Sequence, residues 1–378
     1  MYRVVVAPNA FKESLSADAA AEAMCTGVLE AIPDSECIAL PIADGGDGSV
    51  DAFVRAGFAR RPVTVRGPTG AAVQSSTAMR GTTAVVELAD ACGLSRLPGG
   101  QPAPMTSSTE GLGDALRAAL DSGALDIVVC LGGSASTDGG SGLLSALGAR
   151  LVDAHGHEVQ PSGEGLPEIA ALDLSGLDGR LQEARLTIAA DVDAPLLGPR
   201  GAAAVFAPQK GASPAQVAQL QSGLSHWCAV LEESTGAAVR DVRGSGAAGG
   251  TAAALLAIGA RVLPGAEVIA EVVGLPAAFE DADVVITGEG RLDHQTSMGK
   301  GAAWIARLAR QAGCQVLAVC GRIDVDDDQM RELGFSAWAD CLSRASDENE
   351  SRTHADRLVV AATRDTLRAL AAGEKPGA

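Results

Sequence analysis

Residues 126–147 read DIVVCLGGSASTDGGSGLLSAL, and this stretch predicts the fold of its part of the chain. The run Asp126 to Leu131 has the length of a buried strand, and the run Leu143 to Leu147 has helical character. Eleven small or polar residues separate the two runs. A strand that leads through such a loop into a helix is typical of α/β proteins, and the helix start offers backbone N–H groups to an anion. A tight turn without a ligand is the alternative interpretation.

The same arrangement recurs along the chain. Apolar runs without alternation predict strands that are buried on both faces, and alanine-rich stretches between them predict helices. The strands are predicted at Val4 to Ala7, Ala84 to Leu88, Asp126 to Leu131, Leu186 to Ala190, Asp283 to Thr287 and Val316 to Cys320. The helices are predicted at Ala17 to Ala31, Leu112 to Leu120, Pro214 to Glu233, Ala302 to Ala312 and His354 to Ala371. The predicted fold class is α/β, and 378 residues exceed the usual size of one compact core.

The composition argues against several classes of partner. A formal charge of −18 repels nucleic-acid phosphates, and a single tyrosine provides few surfaces for base stacking. No apolar run has the length of a membrane span or fits a signal peptide, so we expect a cytoplasmic protein without a membrane partner. The eight cysteines are dispersed without a CxxC pair, which favours reduced thiols over a disulfide or zinc framework. None of these features indicates the oligomeric state.

Several segments have structural interpretations. Residues 244–249, GSGAAG, satisfy the GxGxxG pattern of dinucleotide sites, but the residues before them make a poor buried strand. We interpret them as a glycine-rich helix entrance. Residues 68–81 and 98–104 are rich in glycine, proline and polar residues, which predicts crossings or exposed loops. Ser213, followed by Pro214 and Gln216, predicts a capped helix start.

Five glycine- and aspartate-containing segments lie where ligands collect in an open parallel sheet, beyond the carboxyl ends of strands. They are residues 8–16, 41–49, 132–142, 191–211 and 288–301. In the first segment, Lys12 has the charge to hold a carboxylate or phosphate, with a surface lysine as the alternative. In the second, Asp44 and Asp47 lie among three glycines and suit a metal or a hydroxyl group. The alternative there is an acidic turn that caps the next helix.

The last two segments contain further charged candidates. Asp191 and Asp193 follow a predicted strand; if the strand direction persists, both carboxylates point to the same side. Paired carboxylates suit a metal ion or a base that accepts a hydroxyl proton, whereas the alternative is an Asp-Pro loop with one helix cap. Residues 288–301 mix glycines, acids, Arg291 and Lys300 but do not fit a Walker A loop. The charge of Lys300 suits contact with phosphate.

Taken in order, six segments resemble the bacterial glycerate kinase family, which makes phosphoglycerate from glycerate and ATP. The segments are APNAFKESLSA (7–17), PIADGGDGS (41–49), GGSASTDGGSG (132–142), DVDAPLLGPRGAAAVFAPQKGA (191–212), GSGAAGGTA (244–252) and VVITGEGRLDHQTSMGKG (284–301). Each segment alone gives modest support for the resemblance, whereas six segments in the same order at compatible spacing are specific for the family. Asp47 stands where glutamate is expected, and Ser136-Thr137 where Thr-Asn is common; both changes preserve polarity.

The resemblance implies two interleaved α/β domains, one of them Rossmann-like with a mostly parallel sheet. Residues 1–65 and 285–378 would share the discontinuous Rossmann-like domain, and residues 66–284 would form the second domain. The active site would lie in the cleft between them. The implied reaction is phosphorylation of D-glycerate to 2-phosphoglycerate, with ATP and Mg²⁺.

In-line phosphoryl transfer depends on positioning and on charge neutralisation. For that reaction Asp191 is the predicted acceptor of the glycerate hydroxyl proton, and Lys12 and Asp44 are the other predicted catalytic residues. The predicted metal ligands are Asp47, Asp193 and Asp293, with Asp44 as an alternative. The predicted substrate- and nucleotide-binding residues are Gly133, Ser134, Ser136, Gln209, Lys210, Gly288, Glu289, Gly290 and Lys300.

Other functions stay open at this point. The residues of these loops do not indicate the length of the substrate. A kinase for another small hydroxy acid, or one that yields 3-phosphoglycerate, is therefore an alternative. A non-catalytic ATP or metabolite sensor is a second alternative. It is disfavoured because carboxylates beside an anion site contribute nothing unless a cation intervenes. An NAD-dependent dehydrogenase is the weakest, because the GxGxxG pattern lacks its strand.

Overall fold

The computed structural model describes residues 2–11, 14–42, 48–293 and 301–372. In these ranges the strands are β1 (Arg3–Val6), β2 (Glu36–Ala39), β3 (Ala59–Arg66), β4 (Ala72–Arg80), β5 (Thr83–Glu87), β6 (Asp126–Cys130), β7 (Arg150–Val152), β8 (Ala171–Asp173), β9 (Arg185–Ala189), β10 (Arg261–Leu263), β11 (Val284–Thr287), β12 (Arg291–Leu292), β13 (Gln315–Cys320), β14 (Arg322–Ile323) and β15 (Ala337–Asp340). The α-helices are α1 (Ala17–Ala31), α2 (Ser49–Arg55), α3 (Leu88–Cys92), α4 (Glu110–Asp121), α5 (Ser141–Ala146), α6 (Ala202–Phe206), α7 (Pro214–Thr235), α8 (Thr251–Ala257), α9 (Gly265–Val273), α10 (Leu275–Glu280), α11 (Ala302–Gln311), α12 (Asp327–Glu332), α13 (Glu348–Thr353) and α14 (Ala355–Ala371).

The chain forms two compact units, and the first of them is discontinuous. The first unit contains Met1–Ala43 and Ile269–Ala378, and the second contains Asp44–Val268. The predicted boundaries, after residues 65 and 284, differ from these. β3 pairs with β4 over its full length, so it belongs to the second unit. The chain before β11 belongs to the first unit, where the Cys314 thiol donates a hydrogen bond to the carbonyl of Phe279.

The first unit is built on a five-stranded sheet in the order β15-β13-β11-β1-β2, and every neighbouring pair is parallel. The apolar residues of the central strands β1, β11 and β13 are buried, as their unalternating runs predicted. Helices α1 and α14 pack against each other beside this sheet. A Cβ atom on Gly27 would lie 2.6 Å from the carbonyl oxygen of Val360, so this close approach requires glycine.

The second unit has a six-stranded sheet in the order β10-β9-β6-β5-β4-β3. Strands β10, β9, β6 and β5 are parallel, and β4 and β3 are antiparallel to their neighbours. The prediction of a loop over residues 68–81 was therefore wrong for β4. The polar run of this strand has a half-buried partner, since Ser75 Oγ and Ser76 N both donate to Asp90 Oδ2 at 2.8 Å. A pattern of residues within the strand cannot predict a partner that lies elsewhere in the sequence.

Most local predictions are confirmed. The six predicted strands correspond to β1, β5, β6, β9, β11 and β13, and the five predicted helices correspond to α1, α4, α7, α11 and α14. The start of α7 carries a capping box between Ser213 and Gln216. Residues 244–249 lead into α8, in agreement with a glycine-rich helix entrance. No helix of the described part of the chain is long and apolar enough to cross a membrane.

Parallel pairing decides where the polar segments lie. Because β5, β6, β9 and β10 are parallel neighbours, the residues that follow them lie at one edge of the second sheet. The residues that follow β1, β11, β13 and β15 share the corresponding edge of the first sheet. Each unit therefore has its own row of strand-to-helix loops.

Candidate active site

The loop after β6 is held by a buried lysine from a distant part of the chain. Lys210 lies at the end of a short 3₁₀ turn and is 2% exposed. Its ammonium group donates to Ser134 Oγ at 2.7 Å and also to the carbonyl oxygen of Ser136. Burial lowers the pKa of Lys210 to about 8, although the carboxylate of Asp138 opposes the shift. Three predicted binding residues, Ser134, Ser136 and Lys210, are thus brought together.

Asp138 occupies the start of helix α5 from within the same loop. It is fully buried, and its carboxylate accepts hydrogen bonds from the N–H and hydroxyl of Thr109 at 2.8 and 2.7 Å. The N–H groups of Gly140 and Gly142 also donate to it, each at 3.2 Å. Burial raises the pKa of Asp138, and these hydrogen bonds oppose the rise. The backbone N–H groups predicted to bind an external anion are therefore bound by a carboxylate of the loop.

Several hydroxyl groups in this loop have no hydrogen-bond partner among the described residues. The side chains of Ser136, Thr137 and Ser141 are fully buried, and their oxygen atoms are unpaired within the described ranges. A buried hydroxyl without a partner costs free energy unless water or a ligand satisfies it. These three hydroxyls are hydrogen-bonding groups that the contacts of Asp138 and Lys210 leave unused.

The glycine-rich segment before α8 packs closely on both neighbouring loops. A Cβ atom on Gly249 would lie 2.3 Å from the carbonyl oxygen of Ser136, and one on Gly246 would lie 2.2 Å from that of Pro195. Glycines in this segment thus allow backbone to approach backbone. The GxGxxG pattern is explained by packing rather than by a dinucleotide.

Asp191 and Asp193 lie beyond β9, but their carboxylates have different partners. Asp191 is half-buried, and its Oδ1 accepts the N–H of Gly265 at the start of α9, at 3.0 Å. Asp193 is exposed and forms an ion pair with Arg243 at 2.6 Å. The strand ends at Ala189, so strand alternation does not extend to these residues. The helix cap that was the alternative interpretation of this loop is present at Asp191.

Sequence reasoning missed Glu87, a buried carboxylate at the end of β5. It is 5% exposed and accepts the N–H groups of Gly48 and Val50 at 2.9 and 2.8 Å. These groups belong to the start of α2, directly after the acidic segment that contains Asp44 and Asp47. A glutamate at the end of a buried apolar strand was the available signal, because an unpaired carboxylate is rarely placed there.

The first unit contains a cavity of about 480 Å³ at the carboxyl edge of its sheet. Glu289, Gly290 and Asp293, all predicted site residues, line it together. Its other lining residues are Ala10, Phe11, Ser14, Arg291, Gly301, Gly321, Arg322, Cys341, Leu342, Glu348, Ser351, Arg352, Ala355 and Val359. The lining therefore combines apolar residues with three arginines.

Two features organise this cavity. Arg291 Nε and Arg322 Nε both donate to Asp324, at 2.6 and 2.5 Å, and these bonds lower the pKa of that carboxyl group. The Glu289 carboxylate lies beside Gly301 at the start of α11, where a Cβ atom would be 3.1 Å from its Oε2. The described residues thus combine fixed arginines with a half-buried carboxylate.

The remaining predicted residues differ in placement. Gly133 and Gln209 are exposed, and Gly288 is buried where a Cβ atom would meet the carbonyl oxygen of Val319. Lys12, Asp44, Asp47 and Lys300 lie outside the described residues. Among the residues that the structure describes, no group of three His, Cys, Asp or Glu side chains is arranged to hold a metal ion.

Comparison with known proteins identifies the family. The model of the glycerate kinase family matches residues 4–371. The chain is 40% identical to the glycerate kinase of Bacillus subtilis strain 168, over 96% of both chains, and 38% identical to the glycerate 2-kinase of Escherichia coli K12, over 98% of both. A crystal structure from Salmonella typhimurium LT2, of a protein provisionally named glycerate kinase 2, is similar with a TM-score of 0.85 and 38% identity over 98% of this chain and 99% of that one. The chain belongs to the glycerate kinase family.

Proposed function

We propose that this enzyme transfers the γ-phosphoryl group of ATP to the 2-hydroxyl of D-glycerate in the cytoplasm. The observation that carries the proposal is the full-length similarity to glycerate kinases, including the E. coli relative named glycerate 2-kinase. The geometry supports it separately in each unit. The first unit has a cavity with arginines and carboxylates, and the second unit has a half-buried aspartate beyond a parallel strand.

Asp191 accepts the proton of the glycerate hydroxyl in this proposal. One of its oxygens accepts the N–H of Gly265 at 3.0 Å, and this hydrogen bond orients the side chain. A positioned carboxylate within reach of a hydroxyl is an effective base for phosphoryl transfer. Lys210 and Ser134 fix the neighbouring loop, and the hydroxyl of Ser136 supplies a donor for the glycerate carboxylate. Lys12, Asp44 and Gln209 are proposed to assist.

The nucleotide is proposed to bind in the cavity of the first unit. Arg291 and Arg322 are fixed by Asp324, so their remaining N–H groups are preorganised for phosphate oxygens. The apolar lining, including Phe11 and Leu342, suits the base. The turn Gly288–Gly290 and Lys300 complete the proposed set of nucleotide-binding residues.

The donor chemistry of this cavity fits Mg²⁺. Glu289 and Asp293 both line it, and carboxylate oxygens are the protein ligands that Mg²⁺ prefers. Mg²⁺ commonly takes only one or two carboxylates and fills its other positions with water and phosphate oxygens, so a larger cluster is not required. When bound, it would neutralise phosphate charge. Asp293 is the proposed ligand here, with Asp47 and Asp193 as further candidates.

The test is an ADP-release assay on the purified enzyme with D-glycerate, L-glycerate, glycerol and lactate. We expect turnover with D-glycerate to exceed that with the other three, and to disappear when the divalent cation is chelated. Phosphorus NMR of the product distinguishes the 2-phosphate from the 3-phosphate. ADP release with glycerol at a rate comparable to that with D-glycerate would remove the need for carboxylate recognition and overturn the substrate assignment.

A further inference from the structure

Two cysteine thiols of the first unit lie unusually close together. Cys25 is in helix α1 and Cys37 is in the edge strand β2, and their sulfur atoms are 2.8 Å apart. Both side chains are partly exposed, whereas the other six cysteines are buried. The pair takes no part in the proposed phosphoryl transfer.

The chain geometry brings these two sulfurs together. Helix α1 precedes β2 with a short connection, packs against it, and so places the middle of the helix beside the strand. A disulfide needs a sulfur–sulfur distance of about 2.0 Å, so the two sulfur atoms have only a short distance to close. Among the described residues β2 pairs only with β1, so a small shift of this strand disturbs one row of ladder hydrogen bonds instead of two.

The two thiols also differ in acidity. The hydrogen bond that the Cys37 thiol donates lowers the pKa of Cys25, while burial and the nearby carboxylate of Glu22 oppose this shift. The same hydrogen bond raises the pKa of Cys37, and burial raises it further. A thiolate is the nucleophilic form of cysteine, so Cys25 is the attacking member of the pair and Cys37 the resolving one.

We infer that Cys25 and Cys37 are a redox modification site that closes to an intramolecular disulfide when the enzyme meets hydrogen peroxide. The Cys25 thiolate attacks one peroxide oxygen; an S–O bond forms, the O–O bond breaks, and the hydroxide released becomes water by taking up the proton that Cys25 lost. The sulfur of Cys37 then attacks the sulfur of Cys25. An S–S bond forms, the S–O bond breaks, and the second hydroxide leaves as water with the Cys37 proton. Two thiols are oxidised to one disulfide, and one peroxide is reduced to two waters.

The bond would join two elements that border predicted site segments. Residues 8–16 run directly into α1, and β2 runs directly into residues 41–49. Oxidation would therefore fix the helix that follows the first segment to the strand that precedes the second. A dithiol reductant would reverse the reaction by exchange.

The experiment uses the full-length enzyme, exposed to a small excess of hydrogen peroxide, alkylated under denaturing conditions and digested with trypsin. The sequence has no lysine or arginine between Lys12 and Arg55, so Cys25 and Cys37 fall in one peptide that contains no other cysteine. We expect this peptide to carry no alkyl group after oxidation. Its mass should be that of the unalkylated dithiol peptide less two hydrogen atoms. A second cut after Glu30 or Glu36 should leave its halves linked until a reductant is added.

Variants distinguish the pair from general oxidation. Cys25→Ser and Cys37→Ser should each abolish the linked peptide, whereas Cys228→Ser, in the second unit, should leave it unchanged. Full alkylation of both thiols after peroxide treatment would overturn the inference. So would sulfinic acid at Cys25 with Cys37 still free, or a disulfide that links two protein molecules instead of the two halves of one peptide.

Discussion

The loop after β6 in the second unit and the segment after β11 in the first unit begin from the same kind of sequence. Each follows a parallel strand whose apolar residues are buried, and each is rich in glycine and contains charged residues. In the second unit, Asp138 and Lys210 are almost completely buried and bind the loop itself. In the first unit, Arg291 and Asp293 are accessible and line a cavity.

The difference lies in what the charges bind. A buried charge must be satisfied within the protein, so Asp138 and Lys210 fix the shape of a loop and leave little hydrogen-bonding capacity for a ligand. The side chain of Arg291 is 62% exposed, and its pairing with Asp324 leaves other N–H groups accessible. The burial of the charged groups therefore distinguishes two similar glycine-rich segments. Buried charges bind the loop itself, whereas accessible charges can bind a ligand.

The largest expected effect tests Asp191, the proposed base of the second unit. Asp191→Asn keeps an oxygen for the N–H of Gly265 but removes the charge, so kcat should fall by about a hundredfold or more, while the KM for ATP changes little. The measurement is steady-state kinetics, with Asp241→Asn as the exposed control in the same unit.

A different pattern would assign Asp191 another role. If it binds the metal, the Mg²⁺ concentration needed for half activity should rise and excess metal should partly restore the rate. Near wild-type kcat at ordinary metal concentration would contradict both roles. The search for the base would then move to Asp44 and Asp293.

The second prediction tests whether burial of the Lys210 ammonium group lowers the free energy of unfolding. Its pKa is about 8 in the folded protein instead of 10.5, so between these pH values the unfolded chain binds more protons. The stability of the wild type should therefore rise with pH across this window. At about 1.4 kcal/mol per pKa unit, the rise attributable to Lys210 is roughly 3 kcal/mol. Below pH 8 both states are protonated and the full penalty is present.

Urea unfolding at several pH values measures this effect as a difference between variants. Lys210→Met has no proton to lose and Lys210→Arg keeps its charge, so both variants should lack the increase. An identical pH dependence in the wild type and in Lys210→Met would show that the ammonium group is solvated or fully compensated. The contrast between a buried and an accessible charge would then fail.

The smallest effect concerns the accessible charges of the first unit. Arg291→Ala should raise the KM for ATP by about tenfold, the cost of one charge-assisted phosphate contact, and leave the KM for D-glycerate unchanged. Arg61→Ala, on the exposed surface of β3, is the matched control. An equal increase in both KM values would argue for a general structural defect instead of a nucleotide contact.

Local patterns predicted the fold class and most central elements. Buried parallel strands such as β6 and β13 are nearly uniform in hydrophobicity, and α7 carries its own capping signals, so neither requires knowledge of distant residues. The same reasoning failed for β4, whose polar residues are stabilised by Asp90. It also gave no sign that β3 pairs with β4, because strand pairing depends on residues outside the strand itself.

The features of the candidate site also divide into those that the sequence determined and those that the tertiary structure decided. The sequence by itself determined the family resemblance, the polar segments and their positions after strands, since these depend on residue type and order. Only the tertiary structure decided that Lys210 meets Ser134, 76 positions away, that Glu87 caps α2, and that Asp191 and Asp193 have separate partners. Charge and hydrogen-bonding capacity are properties of a residue, but burial and the choice of partner depend on segments that are distant in sequence and adjacent in space.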